Sequence, residues 1–505
     1  MGNHNKIAKN TLYLFVRMMV QMTISLYTSR LILEVLGVND YGVYGVVGGF
    51  VALVAYVNQA LSSSTMRFIT YSLGENSYEH TKKVFNTAFF IHVGLSVLFI
   101  ILAETLGLYF FYTKLNIPQE TMDSAFIIYQ LSIVSTVFVI MTLPYSSIII
   151  AYEKMSIFAY FSIVDTILKL IIVYLIIIIP FNKLVFYGWL MLLTQIIYSV
   201  IYYWYCHKNI VETHLKFSLH KESFKGMLSF AGWSMFGCTA AIGYTQGLNV
   251  LLNIFGGVAI NASRGLAVQV QGIVTTFVSN FQTAVNPQII KSFAQKRYEE
   301  LHRLIYLSSK FSYLIVFLII TPLVLNIHIV LKSWLGIIPE MLPTFLILIL
   351  LITLVDTLSN PIMKSADATG KIRNYHIIVG SFLMLILPTA YIFLKANAPL
   401  YVVFIIQLCF SLIALFVRLL VIRRLIHLKI KIYIIKVILP ILRVTVPSIM
   451  LLLVLRNLPI QIEWLFFLIS CSVITIVNLL LIWFLGLEVS ERIFIYNKIR
   501  NIINR

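Results

Sequence analysis

Long apolar runs alternate with short polar breaks from one end of the chain to the other. A membrane-spanning helix needs about 20 mostly apolar residues. Marking breaks at charge clusters, Pro and Gly divides the sequence into about fourteen such runs. Their approximate ranges are 11–36, 41–65, 84–112, 123–150, 156–180, 184–206, 226–254, 259–285, 304–331, 342–363, 374–394, 399–421, 434–455 and 464–486. The remainder, 488–505, reads as a short basic amphipathic helix. The first run is too long for a secretory signal and lacks a small-residue cleavage site, so it is expected to remain as the first membrane helix.

Loop charge tests this segmentation, because miscounting by one helix would scramble it. One set of alternate loops carries only Lys114, Lys183, Lys332, Lys395 and Arg456. The N-terminus, the other loops and the tail carry most of the remaining Lys and Arg, including Lys82, Lys83, Lys208, Lys216, Lys291, Lys296, Arg297, Arg423 and Arg424. The positive-inside rule therefore predicts that both termini are cytoplasmic. The longest loop, 207–225, is too short for an appended soluble catalytic domain.

Composition agrees. Of 505 residues, 60% are hydrophobic and 11% charged, with a mean hydropathy of +0.93. A soluble chain would carry about 25% charge, and disorder needs low hydrophobicity. The net charge of +19 would point to nucleic acid in a soluble protein; here it follows the loops, and no nucleic-acid partner is expected. Cys206, Cys238, Cys409 and Cys471 sit in apolar runs without a C-x-x-C pair or a His at ligand spacing, so no metal site is expected.

The chain resembles itself at an offset near 219 residues. Gly37 falls on Gly256, Tyr78-Glu79 on Tyr298-Glu299, Pro144 on Pro361, Ala151 on Ala368, Lys154 on Lys371 and Tyr174 on Tyr391. Six helices separate the copies, which implies a parallel repeat about an axis along the membrane normal. The expected fold is an all-α polytopic membrane protein of two six-helix lobes plus two added helices. Residues 1–206 would form the N-lobe (helices 1–6), 207–225 a cytoplasmic linker and 226–422 the C-lobe (helices 7–12). Helices 13 and 14 would occupy 423–487, and the basic tail 488–505. Two facing bundles leave a central cleft suited to alternating access.

Ionisable groups inside a span cost roughly 2.5 to 3.5 kcal/mol on insertion scales and usually face a cavity or a partner. Arg17, Gln21, Ser25 and Thr28 share a narrow arc of helix 1, and Arg264, Gln271, Thr275, Ser279, Gln282 and Asn286 share one on helix 8. Helix 7 adds Gln246, Asn249 and Asn253, and helix 2 adds Asn58, Ser62 and Thr65 beside Arg67. Isolated Ser and Thr are expected to act as interhelical glue, whereas the arginine-headed stripes are expected to line a wet, cationic cavity fit for an anion such as phosphate. Arg30 with Glu34, and Asp165 with Lys169, are i, i+4 pairs that can neutralise each other. Asp356 has no partner at helical spacing; it reads either as a proton or sodium carboxylate or as a helix-packing group.

The run NTLYLFVRMMVQMTISLYTSRLILEVLGVNDYGVYGVVGG, followed by SSSTMRFITYSLGE, resembles the start of bacterial polysaccharide flippases, the O-antigen and capsule repeat-unit exporters. AYEKM and ATGKI have the same family look. These flippases belong to the superfamily that also holds lipid II flippases and multidrug and toxin extruders. The resemblance implies a MATE-like, V-shaped pair of lobes in the bacterial inner membrane. It would move undecaprenyl-diphosphate-linked oligosaccharide between leaflets, among membrane lipids and alongside polysaccharide polymerase machinery. It further implies that Arg17, Arg67 and Arg264 line the substrate cavity, to which the polar pattern adds Gln21, Gln271, Thr275 and Asn249, and that helices 13 and 14 hold the polyprenyl tail. No organic cofactor is implied. A coupling sodium ion or proton would use Asp356 or Asn253, since helix 7 lacks the acid that ion-coupled relatives often carry. The rival readings are a multidrug exporter of the same superfamily and a membrane polysaccharide polymerase.

Overall fold

The computed structural model describes residues 10–25, 61–75, 77–114, 119–178, 182–216, 220–456 and 463–493, with helical turns at 27–28, 31–32 and 35–36. Among these residues 92% are helical and none lies in a strand. That is the expected solution for a chain in lipid, where every backbone N–H and C=O must be satisfied within its own segment. The predicted pair Arg30–Glu34, together with Gly37, Asn58 and most of the basic tail, lies outside the described residues.

We number the helices α1 (10–25, with turns to 36), α2 (61–74), α3 (Tyr78–Thr113), α4 (Met122–Ala151), α5 (Met155–Ile178), α6 (Lys183–Asn209), α7 (221–256) and α8 (258–294). They continue as α9 (Tyr298–Leu325), α10 (Leu342–Thr369), α11 (Arg373–Lys395), α12 (Val402–Ile426), α13 (Ile430–Leu455) and α14 (Glu463–Gly486). Ten of them, α3–α6 and α9–α14, are long and apolar enough to cross a membrane. The protein is a multi-pass membrane protein. The long stretch α7–α8 is not among the ten; Gln246, Asn249, Asn253, Arg264 and Gln271 lower its hydropathy. Outward faces are as apolar as the interior, with Trp204, Phe416 and Leu468 all exposed, an arrangement suited to lipid and not to water.

The sequence pattern predicted a loop between the runs ending at 254 and starting at 259. The structure corrects this: helical hydrogen bonding continues through 221–294, and a single residue, Gly257, breaks the direction with φ 76° and ψ −174°. That backbone region is essentially closed to residues bearing a Cβ.

Elsewhere the breaks are tight turns. Lys154 N donates to Ile149 O at 3.0 Å and Arg297 N to Ser292 O at 2.9 Å, closing α4 and α8 in the same Schellman-like manner. The repeat-related positions behave alike. Tyr78 and Tyr298 each begin a helix with an acid in its first turn, and Glu153 (φ 58°) and Gly370 (φ 74°), one residue before the paired lysines, are both left-handed. Beside Glu153, burial and a hydrogen bond to the Glu212 carboxylate push the Tyr152 hydroxyl above the ordinary phenol range.

The chain divides into two compact units, residues 1–238 with 283–297, and 239–282 with 298–505. In the first, a core of Ile69, Phe85, Ile148, Ile149 and Tyr202 joins α2, α3, α4 and α6. In the second, α10 packs between α9 and α12, with the Phe345 and Phe404 rings 4.7 Å apart. Small polar groups stitch the helices within each unit, as with Thr142 and Ser199 at 2.7 Å and Asn478 donating to Thr321 at 2.7 Å. Such bonds average about 0.6 kcal/mol each.

Candidate substrate-binding site

Arg17 and Arg67 belong to the first unit. The Arg17 guanidinium on α1 lies 4.7 Å from the centre of the Phe158 ring on α5, with Tyr198 and Tyr202 of α6 within electrostatic range. Its Nε is buried and has no hydrogen-bond partner among the described residues. One turn further, Gln21 Nε2 donates to Ser162 O at 3.4 Å and Thr166 Oγ1 at 3.3 Å. The α1 stripe therefore faces α5, where Asp165 and Lys169 form the predicted i, i+4 ion pair at 2.7 Å. Arg67 is enclosed by aromatic rings: Phe68 at 4.5 Å, Tyr71 at 5.0 Å and Phe230 at 5.8 Å. The electron-rich ring faces attract its charge.

Arg264, Asn249, Gln271 and Thr275 belong to the second unit. In a straight helix residues 249 and 264 would be about 22 Å apart at 1.5 Å per residue. The Gly257 break folds α8 back on α7, so Arg264 donates to the Asn249 amide oxygen and, at 3.0 Å, to Thr245 O. Asn249 in turn donates to Gln246 Oε1 at 2.7 Å. Arg264 is 7% exposed, and its Nε has no partner among the described residues.

Further along α8 the stripe is largely spent on the protein itself. Gln271 donates to Thr353 Oγ1 at 3.0 Å, and Gln282 to Ser312 Oγ at 3.0 Å. Thr275 bonds back to Gly272 O on its own helix. Asn253 is exposed.

Asp356 gains a partner that helical spacing did not provide. It lies within electrostatic range of Arg418 on α12 and of Tyr244 on α7, which in turn senses Arg264. Asp356, Arg418 and Tyr244 of the second unit thus lie within electrostatic range of one another, and Tyr244 also of Arg264. Arg418 was not singled out in the sequence; it stands 62 residues from Asp356 (418 − 356), and only the packing of α10 on α12 brings them together. Among the described residues no group of three or more His, Cys, Asp or Glu is placed to hold a metal ion.

Residues 14–175 match the MatE family model. No curated protein matches the chain significantly. A crystal structure of MATE in the straight conformation is similar at a TM-score of 0.72 and 16% identity, covering 84% of this chain and 96% of that one. An outward-facing multidrug resistance MATE family transporter of the MOP superfamily is similar at 0.70 and 16%, covering 83% and 96%. A MOP superfamily transporter from Pyrococcus furiosus Vc1 (DSM3638), whose binding pocket of reverse polarity is taken to suggest a different function, is similar at 0.68 and 14%, covering 83% and 96%. The chain has the fold of the MATE transporters of the MOP superfamily.

Proposed function

We propose that the protein is a flippase of this fold. It moves undecaprenyl-diphosphate-linked oligosaccharide repeat units from the cytoplasmic to the outer leaflet of the bacterial inner membrane by alternating access. The carrying observation is that Arg17 and Arg264 each keep a buried Nε–H with no acceptor among the described residues. An arginine fork holds phosphate oxygens bidentately, and a diphosphate supplies the acceptors these groups lack. The reversed pocket polarity taken to suggest a different function for the Pyrococcus transporter supports the view that this fold serves more than one function. Arg67 and Gln21 in the first unit, and Gln271, Thr275 and Asn249 in the second, are the further groups proposed to contact the substrate.

The substrate leaves only if something resets the site. No G-x-x-x-x-G-K-[ST] motif is present, and a membrane potential, negative inside, returns a positive site inward with about 2.3 kcal/mol per charge per 100 mV. Asp356, with sodium or a proton as the coupling ion, is the proposed coupling residue. Deleting the gene should trap lipid-linked oligosaccharide in the cytoplasmic leaflet, reversed by the wild-type gene. A second reading, export of cationic drugs, is favoured by the acid Asp356 in the second unit and by the multidrug relative of the same fold. Under that reading deletion sensitises cells to cationic drugs and leaves the lipid-linked sugar unchanged.

A further inference from the structure

α8 is a helix on which the chain changes unit, between Gln282 and Thr283, and it is gripped on both sides of the change. On the near side Gln282, in the second unit, donates to Ser312 of α9 at 3.0 Å and accepts from Asn360 Nδ2 of α10 at 3.3 Å. On the far side Gln288 and Lys291, in the first unit, donate to the two carboxylate oxygens of Glu153 at 3.2 and 3.0 Å. Ala284 packs there with Leu14 and Met155.

Between the two grips lies Pro287. Proline has no N–H to donate, so the rung from residue 287 to residue 283 is missing, and the ring crowds the preceding turn. The gap in the ladder spans the turn just after the change of unit. The chain also changes unit at Cys238–Thr239 on α7, just after Gly237, a residue that weakens a helix interior, and at Arg297–Tyr298, in the turn between α8 and α9. Pro144, Pro322, Pro361 and Pro447 also interrupt helices, but each lies within one unit.

The far grip is maintained against a local cost. Glu153 holds a left-handed φ of 58° where the related position in the repeat is Gly370. A non-glycine residue there is strained. What offsets it is visible: Glu153 is 6% exposed, spends its carboxylate on α8, and accepts at its carbonyl from Asn10 of α1 at 3.1 Å.

We infer that residues 283–287 of α8 are a prolyl hinge, held by the Gln282 grip in one unit and the Glu153 clamp in the other, and that the units reorient about it. The inference rests on the alternating-access reading. Spin labels at Lys208→Cys and Arg424→Cys, both exposed positions in different units, report the reorientation in vesicles once the native cysteines are replaced by Ala. The parent and Pro447→Ala should show two distance populations. Pro287→Ala, which restores the rung, should lose one of them. Glu153→Gln, which releases Lys291, should broaden both and serves as the second variant if Pro287→Ala does not accumulate. Parent-like distances in the variants that accumulate overturn the hinge, whatever the substrate. Distances that respond as expected in a protein whose deletion leaves lipid-linked sugar unchanged keep the hinge and remove the substrate assignment.

Discussion

Lys310 Nζ on α9 lies 2.7 and 2.6 Å from the two carboxylate oxygens of Glu491, just beyond α14, and the side chains are 2% and 11% exposed. The pair closes the C-terminal end of the described chain onto the second unit. Glu488 N adds a bond to the same carboxylate at 2.8 Å. Removing one partner leaves a buried charge uncompensated, a loss of about 3 to 5 kcal/mol, whereas replacing both by apolar groups is often neutral or stabilising. Glu491→Leu and Lys310→Leu should each lower the melting temperature in detergent, and the double variant should recover most of the loss. Additive losses would contradict the pairing.

Gly257→Ala should cost on the order of 1 to 3 kcal/mol, because its φ of 76° excludes a Cβ comfortably. Gly265→Ala is the matched control. It sits inside α8 with open space at the Cβ position and no positive φ, and Ala there should be neutral or stabilise by up to about 1 kcal/mol. Equal melting temperatures for the two variants would show that the Gly257 break does not depend on glycine.

Arg17 and Arg264 should separate by stability, not by export. Arg17→Ala removes a guanidinium held by a ring and should abolish export with little change in melting. Arg264→Ala also removes two bonds to α7, at about 1.5 to 3 kcal/mol for each bond to a charged group, and should lose export and stability together. Lys at position 17 should restore part of the activity, since charge is kept and only the fork is lost. Full export by both alanine variants would remove them from the site.

Much of this architecture is legible in the sequence, and for a physical reason. Lipid forces long apolar runs and leaves Pro, Gly and charge to mark the breaks, so the run ending near 394 matches α11 to a residue or so. Local pairs are legible too: Asp165 and Lys169 meet at the spacing the helix dictates. What is not legible depends on which helices pack. Nothing in the linear pattern joins Asp356 to Arg418 or Lys310 to Glu491. The Gly-Gly pair at 256–257 read as a loop because a helix can reverse on one residue when that residue lacks a Cβ. Most of the α8 stripe read as cavity lining, yet Gln271 and Gln282 bond to neighbouring helices; periodicity locates a polar face without saying what covers it.

Loop charge predicts sidedness, and described, exposed positions allow the test. A cysteine at Asn397 should react with an impermeant thiol reagent in intact cells, and one at Lys208 should react only after permeabilisation. The reverse pattern would overturn the assignment of both termini to the cytoplasm.

Transport itself, in sealed vesicles holding only this protein and a fluorescent lipid-diphosphate oligosaccharide, tests the central claim most directly. Without ATP, imposing a potential negative on the side of the basic loops should accelerate movement of the lipid to the opposite leaflet. Arg17→Ala should eliminate the movement, and Asp356→Asn should remove its dependence on the gradient. Equal movement with and without any gradient, unaffected by Arg17→Ala, would contradict the account.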